Sequence, residues 1–401
     1  MTTGERVARY EAALASARIA ERPVAVCDLD AFDANADDLV RRASGVPVRI
    51  PSKSLRVRAL LERALARPGF RGVLAYTLAE ALWLCEGGID DILVAYPTVD
   101  RDALARLARD ERAREQIAIM VDETAQLDLV EDAVRAALPR GASIRTVLEL
   151  DAAYAPLRRL RFGALRSPVA DAPAAVALAR EIARRPAQRL IGRMAYEGQI
   201  AGVGDGARGP YGLAVRTMQA LSARELAERR AAVVAAVREV ADLELVNAGG
   251  TGSVERSAGE EAVTEIAAGS GLLGPALFDG YRAFSPQPAL WLGFPVVRRP
   301  GPGVATLLGG GWIVSGVPGR DRLPVIAHPA GFAYAPQEAA GEVQTPVLGP
   351  AADALRVGST VWLRPAKAGE SAEHAPVYRL VAGDRVVDEA PTYRGEGRFF
   401  L

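Results

Sequence analysis

Short hydrophobic runs alternate with longer stretches of helical period up to about residue 275. Runs such as PVRI and QIAIMV are rich in Val, Ile and Leu, and helical stretches such as DAFDANADDLVRRA and SLRVRALLERALA separate them. This alternation is typical of a parallel sheet whose strands are joined by helices. We expect strands at 23–29, 47–50, 72–76, 91–96, 116–121, 144–150, 189–196, 243–248 and 263–268.

These strands are one more than a closed (β/α)8 TIM barrel needs. A barrel that begins at PVRI uses the last eight of them and leaves PVAVCDL (23–29) over. The spare strand either opens the barrel or pairs with the other domain. The fold class predicted is therefore α/β, a (β/α)8 barrel with a second domain.

Beyond about residue 275 the helical period disappears and Pro and Gly multiply. STVWLRPA, PVYRLVAGDRVVDEAP and TYRGEGRFFL are typical of antiparallel strands, with AGDR as a hairpin turn. We expect residues 1–28 to form a helix and a strand that pack with the β domain, 29–274 to form the barrel, and 275–401 to form a mainly antiparallel β domain.

Composition narrows the classes of function. The 401 residues carry 49 basic and 49 acidic side chains, so no global charge favours nucleic acid or an anionic membrane surface. The N-terminus is charged and amphipathic, and no apolar run approaches the length of a membrane span, so we expect a soluble cytoplasmic protein. Cys27 and Cys85 predict buried thiols, and His328 and His374 lack the spacing of metal ligands, so no metal site is predicted.

Only two of the basic residues are lysines, Lys53 and Lys367. Arginine replaces lysine on a solvated surface or in an ion pair, but a guanidinium stays protonated and cannot act as an amine nucleophile. Lys53 lies three residues beyond PVRI, where the functional groups of a barrel stand. A lysine close to a helix N-terminus and other positive charge has its neutral amine made available to a carbonyl. The alternative is a solvated loop lysine.

The glycine-rich segment VNAGGTGS (246–253) follows the seventh predicted barrel strand. Backbone N–H groups in such a turn converge on an anion, and barrels commonly bind phosphate after strands seven and eight. Gly249, Gly250, Thr251 and Gly252 are the phosphate candidates. A plain tight loop is the alternative.

Two further residues lie near predicted strand ends. Tyr196 ends the predicted strand RLIGRMAY. At a strand end, a tyrosine can form a hydrogen bond with a planar ring or stack on it. Arg161 follows the strand that ends near Asp151, where a guanidinium pairs with an oxyanion or a carboxylate. Packing and an ordinary ion pair are the alternatives for each.

In order along the chain, RPVAVCDLDAFDAN, VRIPSKSLR, AEALWLCEGGIDDILVAYP, LELDAAYAPLRRLRFG, MAYEGQ and VNAGGTGS carry a resemblance. The sequence resembles the fold type III enzymes of pyridoxal 5′-phosphate (PLP) related to alanine racemase. Within them it is similar to the D-threonine aldolase and D-serine dehydratase branch, described as amino acid deaminase/aldolase-like. The resemblance runs from about residue 22 to the end.

The resemblance implies roles for residues that match the motifs. Lys53 would form the internal aldimine and act as a base, Gly250, Thr251 and Gly252 would hold the phosphate, and Tyr196 would lie beside the pyridine ring. Arg161 would lie near the phenolic oxygen. A homodimer is implied as well, because in this fold the β domain of one subunit helps to cover the barrel of the other.

One departure from the branch concerns its metal. These enzymes carry a metal-binding His followed two residues later by Cys or Asp, and the corresponding stretch here is RPAKAGESAEHAP. The ligand positions fall near Lys367 and Gly369, while His374 lies further on. One hypothesis is that the ammonium of Lys367 replaces the positive charge of the metal, so that the enzyme is metal-independent. The alternative is that Lys367 is a surface lysine on a β loop.

The sequence therefore predicts a PLP-dependent lyase of small amino acids, acting on β-hydroxy-D-amino acids by retro-aldol cleavage or dehydration. One alternative is an amino acid racemase or epimerase, whose second base Tyr281 or another tyrosine of the partner would supply. Others are a non-catalytic PLP-binding protein and a phosphate-binding barrel without PLP.

Overall fold

The structure, a computed structural model, describes residues 1–157 and 160–401, which form two compact units. The barrel unit comprises Leu39–Lys53, Glu62–Gly269 and Phe400–Leu401, and the sheet unit comprises Met1–Asp38, Ser54–Leu61 and Ser270–Phe399. The domain boundaries expected after residues 28 and 274 stay a prediction. No helix in the described ranges is long and apolar enough to cross a membrane.

The strands, in chain order, are β1 (Val24–Asp28), β2 (Val48–Pro51), β3 (Phe70–Ala75), β4 (Ile92–Val94), β5 (Ile117–Val121), β6 (Ile144–Glu149), β7 (Tyr154–Leu157), β8 (Leu160–Phe162), β9 (Gln188–Ala195), β10 (Leu245–Ala248), β11 (Glu265–Ala267), β12 (Leu290–Gly301), β13 (Val304–Leu308), β14 (Val325–His328), β15 (Ala333–Tyr334), β16 (Gln344–Leu348), β17 (Thr360–Arg364), β18 (Val377–Ala382) and β19 (Arg385–Pro391).

The α-helices are α1 (Thr3–Ser16), α2 (Leu29–Arg42), α3 (Arg58–Leu65), α4 (Leu78–Glu86), α5 (Arg101–Arg109), α6 (Glu111–Gln116), α7 (Thr124–Val134), α8 (Ala172–Ala183), α9 (Gly198–Ala201), α10 (Gly209–Arg238) and α11 (Val254–Ala258). Several begin at a side-chain cap that the sequence supplies. Thr77, Asp100 and Asp171 each accept a hydrogen bond from a backbone N–H in the first turn of α4, α5 and α8.

Eight parallel strands close into the barrel in the order β10, β11, β2, β3, β4, β5, β6 and β9. This confirms the predicted (β/α)8 barrel and its start at PVRI. The strands are buried along nearly their whole length because the barrel core covers one face and helices cover the other. Arg49 of β2 and Glu265 of β11 add a buried, bidentate ion pair with N–O distances of 2.7 and 2.8 Å.

A two-stranded antiparallel sheet of β7 and β8 follows β6 and was not predicted. The sequence pattern gave no signal there, because three of the four β7 residues are exposed. Arg158 and Arg159, part of the segment LELDAAYAPLRRLRFG, lie outside the described residues.

The spare strand β1 belongs to the sheet unit. It pairs antiparallel with β12 and parallel with β18, within the sheet order β15, β16, β13, β12, β1, β18 and β19. Strand β17 pairs with β12 and with β14. Of the two alternatives for PVAVCDL, pairing with the other domain is confirmed, as is the antiparallel C-terminal sheet.

Helix α1 packs on this sheet through Tyr10. Its ring lies 5.8 Å from that of Trp291 and 5.9 Å from that of Trp362, and its hydroxyl donates to Asp28 at 2.6 Å. All four residues are buried, so the helix completes the core of the sheet unit.

The strand expected at TYRGEGRFFL (392–401) is wrong. The backbone turns there, and the N–H of Arg398 donates to the carbonyl of Tyr393 at 2.8 Å. Two glycines explain the turn. Gly397 adopts a φ of +68°, and a Cβ at Gly395 would lie 1.9 Å from the carbonyl oxygen of Pro376. The turn needs residues without side chains, which a regular strand does not.

Candidate active site at the barrel rim

Lys53 stands at the carboxyl end of the first barrel strand. Strand β2 ends at Pro51, and a short 3-10 helix over Ser52–Ser54 turns the chain outward. The buried Ser52 hydroxyl donates to the carbonyl of Leu74 at 3.2 Å and anchors this turn to the next strand. The side chain of Lys53 is exposed, and its Nζ donates to the hydroxyl of Tyr96 at 2.8 Å. The predicted position of Lys53 on the rim is what the structure shows.

Arg166 links the rings of two tyrosines at this rim. Its guanidinium carbon lies 5.2 Å from the ring centre of Tyr96 and 5.0 Å from that of Tyr196. A guanidinium over an aromatic face is attracted by the negative face of the ring. Lys53, Tyr96, Arg166 and Tyr196 therefore form one cluster in the barrel unit, which we call the rim cluster.

The charges of the rim cluster act on its two phenols in opposite ways. Burial alone would raise the pKa of Tyr96, but the adjacent Lys53 and Arg166 lower it below its usual value. Burial raises the pKa of Tyr196, with only partial opposition from Arg166. Tyr96 is therefore the phenol that exchanges a proton more readily.

Glu149 ends β6 beside the rim cluster and carries an unusual carboxyl group. It is 3% exposed, and its Oε1 lies 3.9 Å from Nη1 of Arg166. Burial raises the pKa of Glu149 to about 7, and Arg166 opposes that rise while Asp122 and Asp151 add to it. Glu149 therefore changes charge near neutral pH.

The glycine turn follows β10, as predicted. Gly249 has a φ of +90°, which glycine adopts without strain. A Cβ on Gly250 would lie 2.7 Å from Cβ of Ala201 and 3.2 Å from Cε2 of Tyr196, so only glycine fits against the tyrosine ring. The carbonyl of the buried Thr251 accepts a hydrogen bond from Arg42 at 2.7 Å. The backbone thus comes within contact of Tyr196, a residue of the rim cluster.

These residues fit a planar, phosphate-bearing aldehyde. Lys53 supplies the exposed amine, Tyr196 supplies an aromatic ring, and the turn against that ring leaves no room for a side chain at Gly250. Close backbone approach at a glycine turn is the usual way in which a protein surrounds a phosphate.

Arg161 lies on β8. Its Nη2 donates to Asp151 at 2.9 Å and to the carbonyl of Ala164 at 3.0 Å. The structure therefore pairs Arg161 with a carboxylate and places Arg166, five residues on, at the rim cluster. The expectation that Arg161 lies near the phenolic oxygen stays a prediction.

Lys367 lies in the sheet unit, in a polar group of its own. Its Nζ donates to the hydroxyl of Ser315 at 2.9 Å and lies 3.4 Å from Oε1 of Glu370. Glu370 in turn accepts from the backbone N–H and the hydroxyl of Ser315 at 2.7 and 2.8 Å. Burial would raise the pKa of Glu370, but the Ser315 hydrogen bonds and Lys367 lower it, so this carboxylate stays charged.

The donors in that segment do not fit the metal of the aldolase and dehydratase branch. Gly369 and its neighbours to Glu373 form a 3-10 helix, and the His374 ring stacks on Trp312 at 5.2 Å. In the described parts of the chain, no group of three or more His, Cys, Asp or Glu is placed to hold a metal ion. Tyr281, the proposed second base of a racemase, packs against Phe278 and Phe284 in the sheet unit.

The sequence interpretation missed Tyr96, Arg166 and Glu149. Tyr96 and Glu149 lie at or just past the ends of barrel strands, where the rule that located Lys53 also applies. Arg166 lies beyond the unpredicted strands β7 and β8, and its ring contacts join residues 70 and 30 positions apart. No local pattern identifies such contacts.

Comparisons with known proteins agree with this fold. The profile described as "Alanine racemase, N-terminal domain" matches residues 27–276. The structure is similar to that of D-threonine aldolase from Filomicrobium marinum, with 24% identity, a TM-score of 0.78, and coverage of 94% of this chain and 95% of that one. D-threo-3-hydroxyaspartate dehydratase from Delftia sp. HT23 gives 21% identity, a TM-score of 0.69, and coverage of 93% and 97%.

Alanine racemase from E. faecalis is more distant, with 16% identity, a TM-score of 0.59, and coverage of 85% of this chain and 88% of that one. No curated protein matches the chain. At these identities the solved structures establish the fold. The profile covers more than half of the sequence, and enzymes of its family use PLP. The chain belongs to the family defined by the alanine racemase N-terminal domain, the fold type III PLP enzymes.

Proposed function

We propose that the chain is a PLP-dependent lyase of small amino acids, in which Lys53 holds the cofactor. The substrates are β-hydroxy-D-amino acids, and the reaction is retro-aldol cleavage or dehydration. One observation carries the proposal: the exposed amine of Lys53 shares a rim cluster with Tyr196, and the glycine turn packs against that tyrosine.

Bound PLP supplies an electron sink for the carbanion that remains when a bond at Cα of an amino acid breaks. The chain supplies the surroundings. Gly249, Gly250, Thr251 and Gly252 would hold the phosphate, and Tyr196 would lie beside the ring. Lys53 is the amine that links to the cofactor and the base that moves the substrate proton.

Arg166 and Arg161 are both assigned to anionic oxygens in this proposal. Arg166 is 30% exposed, and its Nη1 lies 3.9 Å from Oε1 of Glu149, which is longer than a hydrogen bond. It binds the substrate carboxylate or the phenolic oxygen of the cofactor. Arg161, which pairs with Asp151 at 2.9 Å, would lie near the phenolic oxygen of the bound cofactor.

The preference for a lyase over a racemase rests on likeness of the whole chain. The D-threonine aldolase and the D-threo-3-hydroxyaspartate dehydratase structures cover 93% or more of it, with higher TM-scores than the alanine racemases. In the same proposal Lys367 provides, without a metal, the positive charge that acts on the substrate hydroxyl. The enzyme works as a cytoplasmic homodimer.

Borohydride trapping and an absorbance spectrum test the cofactor. The purified protein with PLP is expected to absorb at about 420 nm. Reduction with borohydride, followed by peptide mass analysis, is expected to label Lys53, and Lys367 is the built-in control because it is the other lysine. Label on Lys367, or no label at all, would overturn the assignment.

A panel of D- and L-amino acids tests the reaction. An aldehyde with glycine identifies an aldolase, and a keto acid with ammonia identifies a dehydratase. Formation of the enantiomer identifies a racemase and refutes the lyase. A trapped cofactor without turnover of any amino acid identifies a PLP carrier.

A further inference from the structure

Glu197, the residue after Tyr196, holds both ends of the glycine turn. Its side chain is 2% exposed. Oε2 accepts from the backbone N–H of Gly249 at 3.3 Å, at the beginning of the turn. Oε1 accepts from the hydroxyl of Ser253, at 2.9 Å, directly before α11, and from the hydroxyl of Ser257 within α11. One carboxylate thus fixes the residues on each side of Gly250, Thr251 and Gly252.

Buried arginines balance the negative charge of Glu197. Nη2 of Arg230 on α10 lies 3.1 Å from Oε2 of Glu197, and Nη1 lies 2.5 Å from Glu260. Arg193 of β9 is also fully buried, and none of its guanidinium nitrogens has a hydrogen-bond partner in residues 1–157 and 160–401. Burial and Arg230 lower the pKa of Arg193, while Glu260 and Glu197 oppose that shift.

This balance matters for any anion on the turn. A lone carboxylate behind the turn would repel a phosphate dianion, whereas a carboxylate paired with Arg230 and close to Arg193 adds little net negative charge. Glu197 therefore holds the turn by hydrogen bonds without repelling what the turn binds. A buried, fully hydrogen-bonded carboxylate is also rigid, since each change in its position costs several charge-assisted bonds.

We propose that Glu197 is a positioning residue that sets the affinity of the glycine turn for a phosphate group. The inference rests on the proposed function and adds to it the residue that holds the phosphate site in shape. The expected effect depends on the phosphate group of the ligand. Loss of Glu197 weakens the binding of a phosphorylated ligand and leaves the binding of the same ligand without phosphate nearly unchanged.

The experiment compares PLP with pyridoxal, which has the same aldehyde and ring but no phosphate. Apparent dissociation constants for both are measured by absorbance on the full chain as wild type, Glu197→Gln, Ser257→Ala and Ser222→Ala. Ser257→Ala removes one hydrogen bond to Glu197 and leaves the pairing of Glu197 with Arg230 in place. Ser222→Ala is the matched control, a buried serine on α10 whose hydroxyl accepts from Gln199.

For Glu197→Gln we expect PLP affinity to fall about 10- to 100-fold, the scale of lost hydrogen bonds to a charged group. Ser257→Ala is expected to lower it about 3- to 10-fold. Pyridoxal affinity should change less than about 2-fold in both variants, and Ser222→Ala should leave both affinities unchanged. Glu197→Gln removes one carboxylate partner of the buried Arg230, which could prevent folding. If that variant does not fold, Ser257→Ala provides the test.

Equal losses for PLP and pyridoxal would show that Glu197 only supports the fold, and unchanged PLP affinity would show that the turn does not depend on it. Either result overturns the inference and leaves the proposed function intact, provided that wild type still attaches PLP to Lys53. A wild type that does not bind PLP removes both.

Discussion

Replacement of Glu149 by Gln should stabilise the barrel unit at alkaline pH and not at acid pH. Glu149 is 3% exposed at the end of β6, and burial raises the pKa of its carboxyl from 4.5 to about 7. The folded chain therefore holds a proton on Glu149 between about pH 4.5 and pH 7, where the unfolded chain has released it. Stability falls as the pH rises through that window, and above about pH 7 the ionised, buried carboxylate remains a cost.

The size of the effect follows from the shift. Each pKa unit corresponds to about 1.4 kcal/mol, so a rise from 4.5 to about 7 costs about 3 kcal/mol once Glu149 is ionised in both states. Gln keeps the shape of the side chain and does not ionise, so the variant does not lose this free energy of unfolding as the pH rises. Since about 1 kcal/mol moves the melting temperature of a domain this large by about 2–4 °C, we expect a gain of about 6–12 °C at about pH 8.

Thermal unfolding of the protein, followed by circular dichroism between about pH 5 and about pH 8, measures this difference. The gain of Glu149→Gln over wild type should vanish toward the acid end. Glu228→Gln is the control, because Glu228 is 71% exposed and pairs with Arg224 on the same helix. Parallel melting curves for Glu149→Gln and wild type across the whole range, or a loss that grows with pH, would refute the reasoning.

Three other substitutions test separate parts of the site. Tyr96→Phe removes the oxygen 2.8 Å from Nζ of Lys53, so the rate at which added PLP develops its absorbance band should fall about 10-fold, while the exposed Tyr211→Phe should not change it. Gly250→Ala places a methyl group 2.7 Å from Ala201, so PLP affinity should fall by about 10-fold or more, and equal affinity in equilibrium titration would contradict the tight turn. Activity should survive exhaustive chelation and be lost in Lys367→Met; unchanged turnover in that variant, or full loss on chelation, would remove the role given to Lys367.

The barrel could be predicted from the sequence because its strands are buried on both faces. Segments such as Ile92–Val94 and Ile117–Val121 are continuous apolar runs between helices, and that pattern is local. Lys53 and the turn at Gly249 and Gly250 were located by the same logic, since each follows a strand whose end faces the rim.

The arginines show where this logic ends. Arg161 and Arg166 both follow β6, and the order of residues alone does not separate them. Only the folded chain shows that Arg161 meets Asp151 while Arg166 lies over the rings of Tyr96 and Tyr196. The strand prediction for TYRGEGRFFL was wrong for a related reason. The turn there depends on the close approach of Gly395 to Pro376, which is a tertiary contact.

The distribution of lysine and arginine in the structure bears on the choice of Lys53 as the reactive amine. Arg49 and Arg230 are buried in the barrel unit, where a guanidinium paired with carboxylates keeps its charge and an ammonium would tend to lose its proton. Arginine is thus the cation for fixed charge, and a lysine is needed only where an amine must form a bond or exchange a proton. Lys53, exposed at the rim beside a phenol of lowered pKa, meets that condition. Lys367 contacts Ser315 and Glu370, and an arginine could make the same contacts. The need for a positive charge at this position therefore does not explain why it is a lysine.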